Sequence, residues 1–189
     1  MFQSILGYYG YFRLRGHEID AVDFKRKSFG NTYALQKQTS DQRELAKLLM
    51  KLCEKTGWRL RRATYSAQGV HVSCVSTDLS WWHIGHKFDV PVYTSRDIYV
   101  KAMRLLNISG YTKRVRNLAV SVYDLIPTTS EQLELFSSPT HAVSEAMDKI
   151  NDRWWEFIIT PALMMDMDDI ILDRIAFGGV KELEEMYAE

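Results

Sequence analysis

The chain has 189 residues, 46% of them hydrophobic and 25% charged, with 10 Gly and 4 Pro. That mixture can bury the core of one ordinary domain plus an appendage, and it excludes a disordered, fibrous or low-complexity polymer. The net charge is zero only in sum: residues 25–116 hold 18 Lys and Arg against 6 Asp and Glu, a balance of +12, while residues 117–189 hold 4 against 15, or −11.

A basic body followed by an acidic end is expected of a domain that meets a polyanion and uses its C-terminus for something else. The longest apolar stretch, 157–165, is too short to span a bilayer and contains Pro161, so no membrane partner is expected. Two cysteines, Cys53 and Cys74, fit a reducing compartment, the cytoplasm.

In chain order, residues 2–15, "FQSILGYYGYFRLR", carry Phe2, Ile5, Leu6, Tyr9 and Phe12 at helical spacing, and Gly16 is a stop. This apolar stripe has no preceding domain to cover it, as if the chain began inside something larger. A linker follows and ends in the basic run Lys25-Arg26-Lys27. "SFGNTYALQ" is rich in β-formers and predicts a strand. Thr39 and Ser40 supply N-cap oxygens for a helix with Leu45, Leu48, Leu49 and Leu52 on one face and Gly57 as its end. "WRLRRATYS" (58–66) and "VHVSCVST" (70–77) read as two strands turning at Gln68-Gly69, and "WWHIGHKF" (81–88) as an ambiguous edge that Pro91 breaks. Ser95 caps a second helix with Ile98, Ala102, Leu105 and Leu106 buried and Gly110 as its stop. "RVRNLAVSVYDL" (114–125) alternates as a strand.

The predicted order is β-α-β-β-α-β. This is an α+β domain with a four-stranded sheet, two helices on one face and the other face bare. Beyond Pro127, residues 141–153 predict a helix, "FIIT" (157–160) a strand and "DDIILDRIAFGG" a short helix, making an α/β tail.

These residues resemble a known family. Residues 27–35, "KSFGNTYAL", look like the first strand of the little finger domain of Y-family DNA polymerases, and residues 115–125, "VRNLAVSVYDL", look like its last strand. Residues 14–20, "LRGHEID", resemble the end of the preceding thumb. "DKINDR" (148–153) with "RIAFGG" (174–179) is similar to the tail of the bacterial UmuC/ImpB/MucB/SamB, DinB-like branch.

The resemblance implies the C-terminal part of a translesion polymerase acting in DNA repair and SOS damage tolerance. Residues 1–24 would be the end of the thumb helix and a linker, 25–126 the little finger, 127–138 a clamp-binding linker and 139–189 an acidic tail. Its partners would be double-stranded primer–template DNA, the bacterial sliding clamp and SOS accessory proteins. The family holds Mg2+ in a palm domain upstream of the thumb; no cofactor is expected in this stretch, which should be inactive alone. Asp166, Asp168 and Asp169 lack the second acidic segment that two-metal chemistry requires.

The expected DNA contacts are Lys25, Arg26, Lys27, Ser28, Asn31, Arg59, Arg61, Arg62, Lys113, Arg114 and Arg116. Family members often carry basic residues at the position of Asn31 and along the last strand, where this chain has Asn117, Ala119 and Ser121. Positive charge gathers instead on the arginines of 59–62 and on residues 113–116.

"HIGH" at 83–86 matches a nucleotide-binding signature of class I aminoacyl-tRNA synthetases, without the Rossmann strand or the later "KMSKS" loop that give it meaning. As a metal pair His83 and His86 lack further ligands. Trp81-Trp82 is expected to alternate between core and rim. Gln132-Leu133-Glu134-Leu135-Phe136 has the pattern of a clamp-binding peptide. Gln132 would bond at a pocket rim while Leu133, Leu135 and Phe136 enter a hydrophobic cleft. Two other functions fit less of the chain: a stand-alone clamp-binding regulator without catalysis, and an RNA-binding α/β module, which would expose aromatics where the middle strands show arginines.

Overall fold

The computed structural model describes residues 5–17, 26–128, 139–154, 158–165 and 167. Four strands, β1 (Ser28–Thr39), β2 (Tyr65–Ser76), β3 (Trp81–Val92) and β4 (Val115–Pro127), form one antiparallel sheet in the order β1-β4-β2-β3. β1 and β2 both run antiparallel to β4, which lies between them, so the chain must cross over to join them. A helix of residues Gln42–Arg62 makes that crossover, and a helix of residues Ser95–Ile108 makes the matching one from β3 to β4. With the N-terminal helix α1 (Ile5–Arg13) counted first, these are α2 and α3. The β-α-β-β-α-β order and the α+β class are those expected.

Alternation along β2 and β4 sends Val70, Val72, Cys74, Leu118, Val120 and Val122 under the helices. Leu49, Leu52 and Leu60 of α2 and Ile98 and Ala102 of α3 meet them, all essentially inaccessible to water. Each such large side chain contributes roughly 1.5–3 kcal/mol of burial.

Several boundaries depart from expectation. Gly57 does not end α2. A Cβ there would lie 2.5 Å from Ser95 Oγ and 3.1 Å from Ser95 Cα, so this glycine makes room for the first residue of α3. Residues 58–62 continue α2, Thr64 turns the chain at φ 59°, and the strand expected from 58 starts at Tyr65. Gln68-Gly69, the expected turn, lies inside β2, and the real reversal is at Asp78 and Leu79, the latter at φ 63°. Residues 81–88 belong to a full edge strand, β3, which tolerates Pro91 because an edge has amides without ladder partners. The N-caps are Asp41, accepting from the Arg43 amide at 2.9 Å, and Thr94, accepting from the Asp97 amide at 3.1 Å, each one residue from the expected cap.

The tail packs on the body. Helix α4 (Pro139–Trp154) turns Glu145, Asp148 and Asp152 inward. Tyr93 Oη donates to Glu145 at 3.0 Å and Trp58 Nε1 donates to Asp152 at 2.9 Å. Arg61 grips both oxygens of Asp148, at 2.5 and 2.8 Å. The strand expected over 157–160 is not formed at 158–160. There the Asn151 amide takes both the N–H and the C=O of Ile159, at 2.8 and 3.0 Å, and the chain bends. A single 3₁₀ turn, Ala162–Met164, then brings Met164 and Met167 into burial, and Lys51 Nζ donates to the Met167 carbonyl at 3.0 Å. This second covering explains why Met50, Lys51 and Lys55 are buried although they lie off the leucine stripe.

Candidate nucleic-acid interface

Among the described residues nothing covers the sheet face away from the helices. Strand register sets four rows on it: Ser28, Tyr123, Gly69 and Lys87; Gly30, Ser121, His71 and Gly85; Thr32, Ala119, Ser73 and His83; Ala34, Asn117, Val75 and Trp81. Gly30, Thr32, Ala34, Ala119 and Ser121 keep its β1–β4 part low. Tyr123 lies across it, because a Cβ on Gly69 would meet the Tyr123 ring at 2.3 Å and one on Gly85 would meet the Tyr123 oxygen at 3.3 Å. Within these rows Lys87 is the one formally charged side chain, and it pairs with Asp124 at 2.9 Å. The hydrogen bond that Lys87 donates to Asp124 holds the Lys87 pKa above its ordinary value. The face itself is therefore close to neutral.

The expected basic residues flank it. Arg26 lies over the Phe29 ring at 5.0 Å, and Lys27 and Ser28 are exposed at the start of β1. Arg59 donates to the Gly30 carbonyl at 3.2 Å and to Asn31 Oδ1 at 3.1 Å, which ties the end of α2 to the same edge. Asn31 is half-buried on the helix-covered side of β1, not on the bare face. Arg62 is exposed and lies 5.1 Å over Trp58.

Lys113, Arg114 and Arg116 are exposed at the other end of the strands. There Lys113 pairs with Asp78 at 2.9 Å and Arg114 donates to the Gln38 carbonyl at 3.0 Å. The six-residue span from Ser28 to Ala34 puts the two groups roughly 20 Å apart. Arg61 joins neither group. Its side chain is 4% exposed, with Asp148 on one side and Ser95 Oγ at 3.2 Å, so it offers no free charge. Lys25 and the segment containing Gln132, Leu133, Leu135 and Phe136 lie outside the described residues, as do Asp166, Asp168 and Asp169.

A bare antiparallel face between two basic ends, on a split β-α-β sheet, fits the resemblance read from the sequence, and the sequence model of the impB/mucB/samB family C-terminal domain matches residues 26–135. The chain belongs to this family. The chain is 26% identical over 160 residues to DNA polymerase IV of Pelotomaculum thermopropionicum, covering 82% of this chain and 40% of that protein. It is 29% identical over 143 residues to DNA polymerase IV 2 of Bacillus subtilis, covering 72% of this chain and 35% of that one. The chain thus spans about two-fifths of the length of the relatives it matches. Among solved structures, a Y-family DNA polymerase chimera of Dbh and Dpo4 superposes with a TM-score of 0.52 at 18% identity, over 65% of this chain and 36% of that one, and shows the same fold.

Three features of the impB/mucB/samB domain escape a linear reading. Trp81 is 69% exposed and stacks flat on His83, with ring centroids 4.7 Å apart and planes at 9°. His83 Nδ1 lies 3.2 Å from His71 Nε2 across the β2–β3 hairpin. Tyr123 fills the place that Gly69 leaves open. The signal was present as alternation: Trp81 and His83 share a parity, while Trp82 faces the core near Tyr111 and His86 faces away from His83. Among the described residues no group of three His, Cys, Asp or Glu side chains converges on a metal position, and no helix is long and apolar enough to cross a membrane.

Proposed function

We propose that this chain is the little finger and C-terminal tail of a translesion DNA polymerase, with residues 25–126 holding primer–template duplex and the 127–138 linker docking on the sliding clamp in the cytoplasm. The observation that carries the reading is the pair of basic groups about 20 Å apart on either side of a nearly neutral sheet face. A duplex laid along that face meets cations along its backbone and a nearly uncharged surface between them. Arg26, Lys27, Arg59 and Arg62 grip at one end and Lys113, Arg114 and Arg116 at the other, in contacts to phosphate that position DNA without reading its sequence. Gln132, Leu133, Leu135 and Phe136 supply the clamp peptide. The nucleotide transfer itself belongs to a palm domain of the whole protein.

The test is duplex affinity against salt. Neutralising ~4–6 phosphates gives a log–log slope of roughly −4 to −5, the same for unrelated sequences. Charge reversal at Lys27 and Arg62 together should weaken every sequence about equally and make the slope shallower. Tight binding that ignores salt, or a preference for RNA duplex over DNA, would overturn the reading.

A further inference from the structure

The bare face lacks the charge expected of a surface that meets DNA, and its middle holds two imidazoles within hydrogen-bond distance. We infer that His71 and His83 form a proton-dependent phosphate contact at the centre of the sheet face, with Trp81 as the platform beneath His83. This inference rests on the duplex binding proposed above and adds a regulation to it: the grip on DNA tightens as pH falls.

The two ring nitrogens, His71 Nε2 and His83 Nδ1, are 3.2 Å apart. At that distance one must carry a hydrogen and the other a lone pair, so the pair can hold one extra proton as a shared N–H···N bridge but resists a second. Partial burial first, and the neighbouring imidazole second, hold His71 below the ordinary imidazole range. His83 is the more exposed ring of the two, and the parallel Trp81 face at 4.7 Å favours positive charge on this side of the bridge.

Among the described residues the surroundings supply no competing anion. Across the strands, His71 faces Gly85 and Ser121, and His83 faces Ser73. Tyr123 reaches over Gly85 toward the His71 ring, and the charged groups beyond it are Lys87 and Asp124, already paired with each other. β1 contributes Gly30 and Thr32 at these two rows. A DNA phosphate arriving here is thus the nearest unpaired negative charge. It raises the pKa of the pair, so binding takes up a proton from solution. The sign follows: between the pKa of the free pair and the higher pKa of the bound pair, affinity rises as pH falls, by up to about tenfold per pH unit for one proton.

The experiment uses the full chain and a fluorescein-labelled 20-base-pair duplex, with anisotropy read from pH 5.8 to 8.0 at constant ionic strength. The wild type is expected to bind about 5–10-fold more tightly at pH 6 than at pH 8. His83→Gln and His71→Gln should flatten this dependence, while His86→Gln, on the other side of the strand, should retain it. Calorimetry of the wild type in two buffers of different ionisation enthalpy should show proton uptake at pH 6.5. No uptake, or a pH dependence that survives both His71→Gln and His83→Gln, overturns the inference while salt-dependent duplex binding stands. Absence of salt-dependent duplex binding at every pH would instead remove the proposed function.

Discussion

Arg61 is one of three arginines in "WRLRR", and nothing local separates it from Arg59 and Arg62. Its fate depends on Asp148, 87 residues later, which the fold brings against it. Charge counting could see that the region was basic, but not that one of its charges is buried. The Arg61 side chain is 4% exposed and that of Asp148 is 20% exposed. Glu54, close by, has its carboxyl pushed above the ordinary range by burial, against the pull of Ser95 and Arg61. Removing one partner of such a pair strands the other. Asp148→Asn is expected to destabilise the chain by about 3 kcal/mol, the low end for a stranded buried charge because Asp148 keeps some contact with water. Replacing the pair by Arg61→Met with Asp148→Leu should recover most of that loss. Urea unfolding measures both; a loss under ~1 kcal/mol for the single variant would mean that water already solvates Arg61.

The elements were legible where one periodicity governed and obscure where two surfaces met. Leu45, Leu48, Leu49 and Leu52 announce α2 because they answer to a single partner, the sheet. Gly57 reads as a stop because glycine is costly inside a helix. Its reason for being there lies on α3, where Ser95 approaches too closely for any side chain. Gly69 misleads in the same way: it resembles a turn, yet it sits mid-strand under the Tyr123 ring. Once these two glycines are assigned to turns, the strand boundaries on either side shift with them, and the rows that join His71 to His83 cannot be drawn. Gly57→Ala tests the argument. Alanine gains about 1 kcal/mol in helix propensity, but its methyl must displace Ser95 and the α3 backbone. The net effect expected is a loss of about 1–3 kcal/mol, as for other overpacked sites, partly restored by adding Ser95→Gly. A stabilised Gly57→Ala chain would show that α2 and α3 separate at no cost.

At the scale of the whole molecule, the basic body and the acidic end are not two independent surfaces. α4 brings Glu145, Asp148 and Asp152 onto the body, and Met164 and Met167 close over α2, so part of the −11 is matched internally. This anchoring brackets the proposed clamp peptide. β4 ends at Pro127, α4 starts at Pro139, and the sequence between them carries Gln132, Leu133, Leu135 and Phe136. The apolar trio continues neither a 2.0 nor a 3.6 period into its flanks, as a core element would. Among the described residues, α2 meets the sheet on one side and Met164 and Met167 on another. A peptide of five residues should hold a clamp at around micromolar affinity, near −8 kcal/mol. Replacing Leu135 and Phe136 by Ala should remove most of that, because a few anchors dominate such contacts. If the two side chains serve the clamp and not the core, thermal unfolding of the same variant should stay within about a degree of wild type, a change of under ~0.5 kcal/mol. Calorimetry against the clamp and a melting curve on one preparation separate the cases. Retained binding would remove the peptide from the proposal, and lost binding with a melting point lower by many degrees would place Leu135 and Phe136 in the fold.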